Sequence, residues 1–196
     1  PQVKLKTKKD EQAHFIIGFR AEGRAYKGRY AQGLLSAILG AGMSSRLWIE
    51  VRERRGLAYA VKTSMDRYID TGYLGTYAGV DPKKVDEAIA VMLEQHYGIS
   101  NGQFPISNEE LHRAKEFIKG HFALALEDTK NVSSFFSDQA LFLDEILTPE
   151  EIFKKVDKVT LDEVNFEAKR LFVPSRLNLA IIGDCNDRGK FEKLLE

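Results

Sequence analysis

The sequence predicts an α+β domain in which helices cover one face of a mostly antiparallel sheet. The first observation is a period-2 alternation over residues 12–20, which places apolar side chains on one side of a predicted strand. The second is a β-hairpin, because residues 58–67 and 73–80 are rich in Tyr, Val and Thr and flank a short connection. The third is the order of the remaining segments, since helical periodicities follow one another until a last strand at residues 177–182. The apolar side of the first strand consists of Ala13, Phe15, Ile17 and Phe19.

Helix boundaries are indicated by capping residues and glycines. Residues 27–39 have helical spacing and end at Gly40-Ala41-Gly42. Ser44 or Ser45 is then expected to cap a short helix that ends at Arg55, with Gly56 as its left-handed C-cap residue. Later helices are predicted from Asp81-Pro82 to about Tyr97, from Asn108 to Leu126, from Val132 to Leu143, from Thr148, from Thr160 and in the terminal FEKLLE stretch.

The composition predicts one globular domain that spans residues 1–196. Hydrophobic residues make up 43% of the chain and charged residues 30%, which is typical of a folded soluble protein. Lys and Arg together number 29, as do Asp and Glu, so the formal net charge is zero. A chain without net charge has no long-range attraction to nucleic acid or to an anionic membrane, and we expect neither partner.

The chain carries no recognisable targeting or membrane segment. No uncharged apolar run approaches the ~18 residues of a membrane span, and no apolar stretch follows the basic N-terminus. The compartment is therefore not specified, although the cytoplasm is favoured. Because the sequence begins at Pro1 and not at Met, we expect a piece of a longer polypeptide.

Common catalytic and metal motifs are not found. The stretch Gly40–Ser45 is glycine-rich, but it follows a helix and lacks a Walker lysine, so a helix–helix corner is favoured over a phosphate loop. The four histidines lack the spacing of HxxEH or HExxH zinc motifs, and His112 and His121 are expected on opposite sides of a solvated helix. Cys185 is the single cysteine, which excludes an internal disulfide, and no neighbouring base activates it.

Two segments in the first half carry a family resemblance. They are SRLWIEVRERRGLAYAV at residues 45–61 and DTGYLGTYAGVDP at residues 70–82. Together they resemble the second, non-zinc-binding domain of the pitrilysin-like M16 metallopeptidases, which include the mitochondrial processing peptidases. Later segments agree in the same order, so the resemblance covers almost the whole chain. They are LHRAKEFIKGHFALALED, LTPEEIFKKVDKVTLDEV and LNLAIIGD.

The resemblance implies a fold, a partner and a site. The fold would be the LuxS/MPP-like metallohydrolase type, and the chain would be the C-terminal half of a two-domain zinc endopeptidase. Zinc would be held by an HxxEH motif in the partner half, in the same chain or a separate subunit, and no cofactor by this chain. Motif matching makes Arg52 and Tyr59 the residues that would contact the carbonyl of an extended peptide. The chain would be inactive alone, and a homo-oligomer is also compatible with the family.

The chemistry of Arg52 and Tyr59 fits that role. Attack of a zinc-activated water on a peptide carbonyl creates an oxyanion, and a guanidinium and a phenol are hydrogen-bond donors that can stabilise it. The structural alternative is that Arg52 pairs with Asp66 or Glu50, while Tyr59 is a core aromatic residue.

Two further questions stay open from the sequence. The dense glycines Gly72, Gly75 and Gly79 are compatible both with close backbone packing and with a nearby peptide. The whole chain is also compatible with a non-catalytic scaffold or assembly subunit of the same fold, like the core proteins of respiratory complexes.

Overall fold

A computed structural model describes residues 1–195 and contains one five-stranded sheet. The strands are Gln2–Thr7 (β1), Ala13–Glu22 (β2), Ala58–Arg67 (β3), Thr71–Val80 (β4) and Leu177–Gly183 (β5). Their order is β1-β5-β2-β4-β3, and only β1 and β5 are parallel. The predicted mostly antiparallel sheet is confirmed.

Helices and helical turns account for most of the remaining chain. The α-helices are Arg29–Gly40 (α1), Val85–Ser100 (α2), Asn108–Ala125 (α3), Thr129–Phe142 (α4), Pro149–Lys158 (α5), Leu161–Leu171 (α6) and Arg188–Leu194 (α7). A π-helix spans Trp48–Arg54, and 3₁₀ turns lie at Pro82–Lys84 and Pro174–Arg176. Within residues 1–195, no helix combines the length and the apolar character that crossing a membrane requires.

The helix caps predicted at Thr148 and Thr160 are confirmed. Thr148 and Thr160 form capping boxes with Glu151 and Glu163, as their spacing predicts. The long helix α3 is capped by Ser107, one residue before the predicted start, and Glu110 completes that box. These caps satisfy N–H groups that the first turn of a helix leaves without a partner.

The core lies on one face of the sheet only. Phe15, Ile17 and Phe19 of β2 are at most 1% exposed, whereas Ile16 on the other side is 42% exposed. Helix α1 packs against β3 and α6, and α2 packs against α6. The alternation of β2 therefore decides which face receives the helices. We call the other side the open face, because no helix of residues 1–195 covers it.

Strand β1 is an addition to the sequence analysis, which assigned no secondary structure to the basic N-terminus. Lys4 and Lys6 alternate with Val3 and Leu5, and of these four side chains only Val3 is buried. The strand pairs with β5, with Val3 opposite Leu179. A short edge strand whose partner is distant in the sequence gives almost no local signal.

A polar chain crosses the core between the sheet and α2. Buried Thr63 and Thr76 lie 3.1 Å apart between their Oγ1 atoms, and Thr76 Oγ1 lies 3.0 Å from His96 Nε2. His96 Nδ1 contacts the Met92 carbonyl at 2.5 Å. Because a carbonyl only accepts, Nδ1 carries the proton, and Nε2 of the neutral ring accepts from the Thr76 hydroxyl. Burial lowers the pKa of His96 to about 4.

We predict that this histidine makes stability fall as pH drops from about 6.5 to about 4. In that window the unfolded chain binds a proton at His96 that the folded chain does not, so the free energy of unfolding decreases, in total by about 3 kcal/mol. Urea unfolding between pH 7 and pH 4.5 measures the change. The variant His96→Gln should show a flatter profile over this range, and an unchanged profile would contradict the assignment.

Candidate functional site

The π-helix Trp48–Arg54 carries the first candidate residue. Leu47 and Val51 are fully buried, whereas Arg52 is exposed. The sequence predicted an ordinary short helix capped by Ser44 or Ser45, and this was wrong in two respects. The hydroxyl of Ser45 donates to the Gly42 carbonyl at 2.7 Å and caps nothing. The helix is also wound as a π-helix, a rare form that is often found at functional sites.

One arginine anchors the start of this helix to α3. Arg46 Nε donates to Glu110 Oε1 at 2.6 Å, and Arg46 Nη2 donates to Glu110 Oε2 at 2.8 Å. Its other N–H groups donate to the carbonyls of Phe104 and Pro105 at 2.8 and 2.7 Å. Both charged side chains are less than one-fifth exposed. A forked, half-buried pair of this kind fixes orientation as well as distance.

A sharp reversal follows the π-helix. Gly56 has φ +55°, and the Leu57 N–H donates to the Val51 carbonyl at 2.8 Å. The predicted left-handed C-cap is confirmed. Leu57 is buried, so the chain enters β3 with a fixed direction.

Arg52 does not use the acidic partners that the structural alternative proposed. Its Cζ lies 4.3 Å from the ring centroid of Trp48, a cation–π contact. Glu50 pairs instead with Arg54, and Asp66 lies near the Ser64 hydroxyl. Among residues 1–195 no carboxylate forms a salt bridge with Arg52, so its N–H groups are available to a ligand.

Tyr59 occupies a β-bulge at the start of β3. Ala58 pairs with Val80 and Ala60 with Gly79, so Tyr59 is the extra residue of the strand. Because of the bulge, Tyr59 and Ala60 are both exposed, and Tyr59 is 59% exposed. The alternative interpretation of Tyr59 as a core aromatic residue is wrong.

The two candidate residues flank the same reversal. Arg52 precedes Gly56 by four positions and Tyr59 follows it by three. No hydrogen bond joins their side chains within the described part of the chain. Two exposed donors without an acceptor of their own can both be directed at one external oxygen.

On the open face, the sequence analysis missed the pair formed by His14 and Tyr77. His14 Nδ1 lies 2.8 Å from Tyr77 Oη, and both side chains are half-buried on this face. Gly75 and Gly79 also lie there, where the rings of Tyr73 and Tyr77 lean over them. The strand alternation could have identified His14, since it falls opposite the apolar side of β2.

Gly72 is explained by close backbone packing, the first of the two roles considered for the glycines of β4. A Cβ there would lie 2.6 Å from the Glu22 carbonyl and 2.8 Å from that of Asp66. Close backbone packing therefore accounts for it.

The structure also places the other residues that the sequence analysis considered for metal, thiol or phosphate chemistry. Within residues 1–195 no group of three or more His, Cys, Asp and Glu side chains could hold a metal ion. His112 and His121 are exposed on α3, and burial raises the pKa of the Cys185 thiol. Gly42, with φ +85°, turns the chain from α1 into the following loop, which supports the helix–helix corner.

Comparisons with known proteins agree with this architecture. The family model described as the Peptidase M16 inactive domain matches residues 1–118. The chain belongs to the M16 peptidase family. An uncharacterized zinc protease of Streptomyces coelicolor is 33% identical over 187 residues, which are 95% of this chain and 40% of the relative. An uncharacterized zinc protease of Bacillus subtilis is 34% identical over 86% of this chain and 41% of its own length.

Solved structures show the same fold. A chain of complex III2 from Candida albicans has a TM-score of 0.86 at 21% identity, over 99% of this chain and 49% of that chain. This M16 domain spans about two-fifths of the length of the curated relatives that it matches.

The anchor of the π-helix can be tested within this M16 domain. We predict that Arg46→Ala lowers the free energy of unfolding by about 2 kcal/mol, because it leaves Glu110 half-buried without its partner. Arg113→Ala removes an exposed arginine from the same neighbourhood and should change stability by less than about 0.5 kcal/mol. Equal effects of the two substitutions in urea unfolding would show that Arg46 is not an anchor.

Proposed function

We propose that this chain is the zinc-free second half of an M16 endopeptidase and that Arg52 and Tyr59 hold the carbonyl of the peptide being cleaved. The observation that carries the proposal is that both donors are exposed on either side of Gly56 and have no acceptor within residues 1–195. An HxxEH-bearing half would supply zinc, which activates the attacking water. The named relatives are zinc proteases of more than twice this length, which supports such a half.

The arrangement of the two donors suits transition-state stabilisation. The Trp48 ring holds the Arg52 guanidinium by one face, and the planar edge keeps its N–H groups free to donate. The bulge fixes the direction of Tyr59, whose hydroxyl makes no hydrogen bond within residues 1–195. Each of the two side chains extends from backbone that buried neighbouring residues hold in place. The two donors are therefore already positioned when the oxyanion forms.

The competing proposal is a scaffold subunit in which Arg52 and Tyr59 have no chemical role. The observation in its favour is the strong likeness in fold to a chain of complex III2. Fold alone does not determine activity. A measurement of peptide turnover therefore distinguishes the two proposals.

The deciding experiment is hydrolysis of a quenched fluorescent peptide. It compares this chain alone, an HxxEH-bearing half alone and their mixture with zinc. Activity only in the mixture supports the peptidase. No activity in a mixture shown to associate supports the scaffold. Stoichiometric zinc on this chain alone would contradict the proposed division of roles.

We predict that Arg52→Ala and Tyr59→Phe each lower kcat of the active mixture by about 10²- to 10³-fold, because each removes a donor to the oxyanion. Both side chains are exposed, so the melting temperature of this chain should hardly change. Arg54→Ala is the matched control, since Arg54 lies on the same π-helix but pairs with Glu50. A large loss of kcat in the control, or a large melting shift in Tyr59→Phe, would indicate a structural effect.

Helix α4 provides the surface that we propose for the other half. Of its fourteen residues only Gln139 is buried. Large apolar side chains stay exposed on α4 and beside it, and we call them the α4 patch. They are Leu124, Phe136, Leu141, Phe142 and Ile146. The helix also carries only Lys130 and Asp138 as charges, and a low charge density with exposed aromatic residues is typical of the centre of an interface.

We take the HxxEH-bearing half as the occupant of the α4 patch because of the length of the relatives. More than half of each relative lies outside the matched region, so a large folded partner is available to cover an apolar patch. The patch is attached to this domain by aromatic contacts, in which the ring centroid of Phe135 lies 5.1 Å from that of Phe122. This attachment keeps the exposed side chains in place for the partner.

We predict that Phe136→Asp weakens association with the HxxEH-bearing half by at least about tenfold, because a charge would be buried in an apolar contact. Gln103→Asp adds the same charge at an exposed position of the loop between α2 and α3, outside the α4 patch, and should leave association nearly unchanged. Titration by isothermal calorimetry measures both affinities. Unchanged affinity for Phe136→Asp in a folded variant would remove the α4 patch from the interface.

A further inference from the structure

The register of the sheet arranges the open face in rows. One row contains Lys4, Ala180, Ile16, Tyr77 and Lys62, from β1 across to β3. The row beside it contains Lys6, Ile182, His14, Gly79 and Ala60, next to the Tyr59 bulge. On the other side lie Gln2, Asn178, Gly18, Gly75 and Ser64, and then Arg20, Tyr73 and Asp66. The open face is therefore continuous with Tyr59, one of the two proposed donors to the oxyanion.

The charges of the open face have one predominant sign. Lys4, Lys6 and Lys62 are exposed, and none forms a salt bridge within residues 1–195. Arg20 adds a fourth cation, whose guanidinium donates to the Ser175 carbonyl at 2.8 Å. Glu22, at the end of β2, is already paired with Arg170 and Arg176, and these arginines lower its pKa to about 2. Asp66 is the other carboxylate that the register places here.

The middle of the face is low and largely apolar. Ile16 is 42% exposed and Tyr73 is 37% exposed. Gly18 and Gly75 pair directly with each other, and the Tyr73 ring leans over Gly75, whereas the backbone at Gly18 is left uncovered. An added Cβ at Gly18 would meet only the Asn178 carbonyl, at 4.0 Å. A shallow apolar floor with cations at both margins suits an extended chain that carries carboxylates.

We propose that the open face binds acidic peptide segments, so that the peptidase prefers substrates with Asp or Glu near the cleaved bond. The inference rests on the proposed function for its link to cleavage, but the charge preference belongs to this chain alone. Lys62 is the best-placed residue, since it lies three positions after Tyr59 on the same edge strand. At ~3.3 Å per residue, an acidic side chain about three positions from the cleaved bond would reach Lys62.

Binding to this chain by itself tests the charge preference. The probes are three fluorescent decapeptides of one scaffold, with two Glu, two Gln or two Lys at the varied positions, followed by anisotropy at low salt. We expect the Glu peptide to bind about three- to tenfold more tightly than the Gln peptide, and the Lys peptide to bind most weakly. Because the contacts are exposed, about 0.5 M NaCl should remove most of the difference.

Charge reversal on the open face should reverse this order. In Lys4→Glu/Lys62→Glu the Lys peptide is expected to bind more tightly than the Glu peptide. The matched control is Lys130→Glu/Lys154→Glu, which changes net charge equally on α4 and α5 and should keep the wild-type order. Equal binding of all three peptides, or the same reversal in the control, would overturn the inference. Stronger binding of a single-stranded oligonucleotide than of the Glu peptide would also overturn it.

The active mixture separates this inference from the proposed function. Lys62→Glu should lower the ratio of kcat/KM for the Glu-containing substrate to that for the Gln-containing substrate about threefold or more. Equal cleavage of the Glu and Lys substrates overturns the acidic preference and leaves the peptidase standing. A retained preference in binding, together with no cleavage in an associated mixture, contradicts the proposed function and supports the open face as an acidic-peptide site.

Discussion

The architecture of this M16 domain depends on a sheet that is apolar on one face only. Phe15, Ile17 and Phe19 alternate with Ile16, Gly18 and Arg20 along β2, and helices cover only the first set. Burial of a large apolar side chain is worth about 2 kcal/mol, so a one-residue shift of register would expose the whole core face. The same constraint leaves the opposite face open, and the candidate site and the basic rows follow from it.

Two irregular segments interrupt this regular frame at the point where Arg52 and Tyr59 emerge. A π-helix and a β-bulge are each less favourable than the regular element they replace, and they persist where the surroundings determine them. Leu47, Val51 and Leu57 are buried on either side of Gly56, and Arg46 is tied to Glu110. The stable core therefore holds an arrangement that the local sequence would not adopt by itself.

The sequence predicted the features that depend on neighbouring residues. The capping boxes at Thr148 and Thr160, the C-cap at Gly56 and the hairpin β3–β4 are local patterns, and all are present. Strand β1 was missed because its partner β5 lies more than 170 residues away. The bulge at Tyr59 was missed because it becomes visible only in the pairing with Gly79 and Val80. The family resemblance identified Arg52 and Tyr59, whereas their exposure and their lack of acidic partners among residues 1–195 required the structure.

The exposure of these two donors has an energetic consequence in the proposed assembly. In this chain the Arg52 guanidinium and the Tyr59 hydroxyl are exposed and can hydrogen-bond to water. The lack of a protein acceptor therefore has no free-energy cost. When a second half covers the site, that water is displaced, and an unpaired donor then costs about 1–3 kcal/mol, more for a charged one. A peptide carbonyl removes this cost, and an oxyanion removes it more completely because it accepts stronger hydrogen bonds. Association of the two proposed halves would thus favour bound substrate over an empty site, and the transition state over bound substrate.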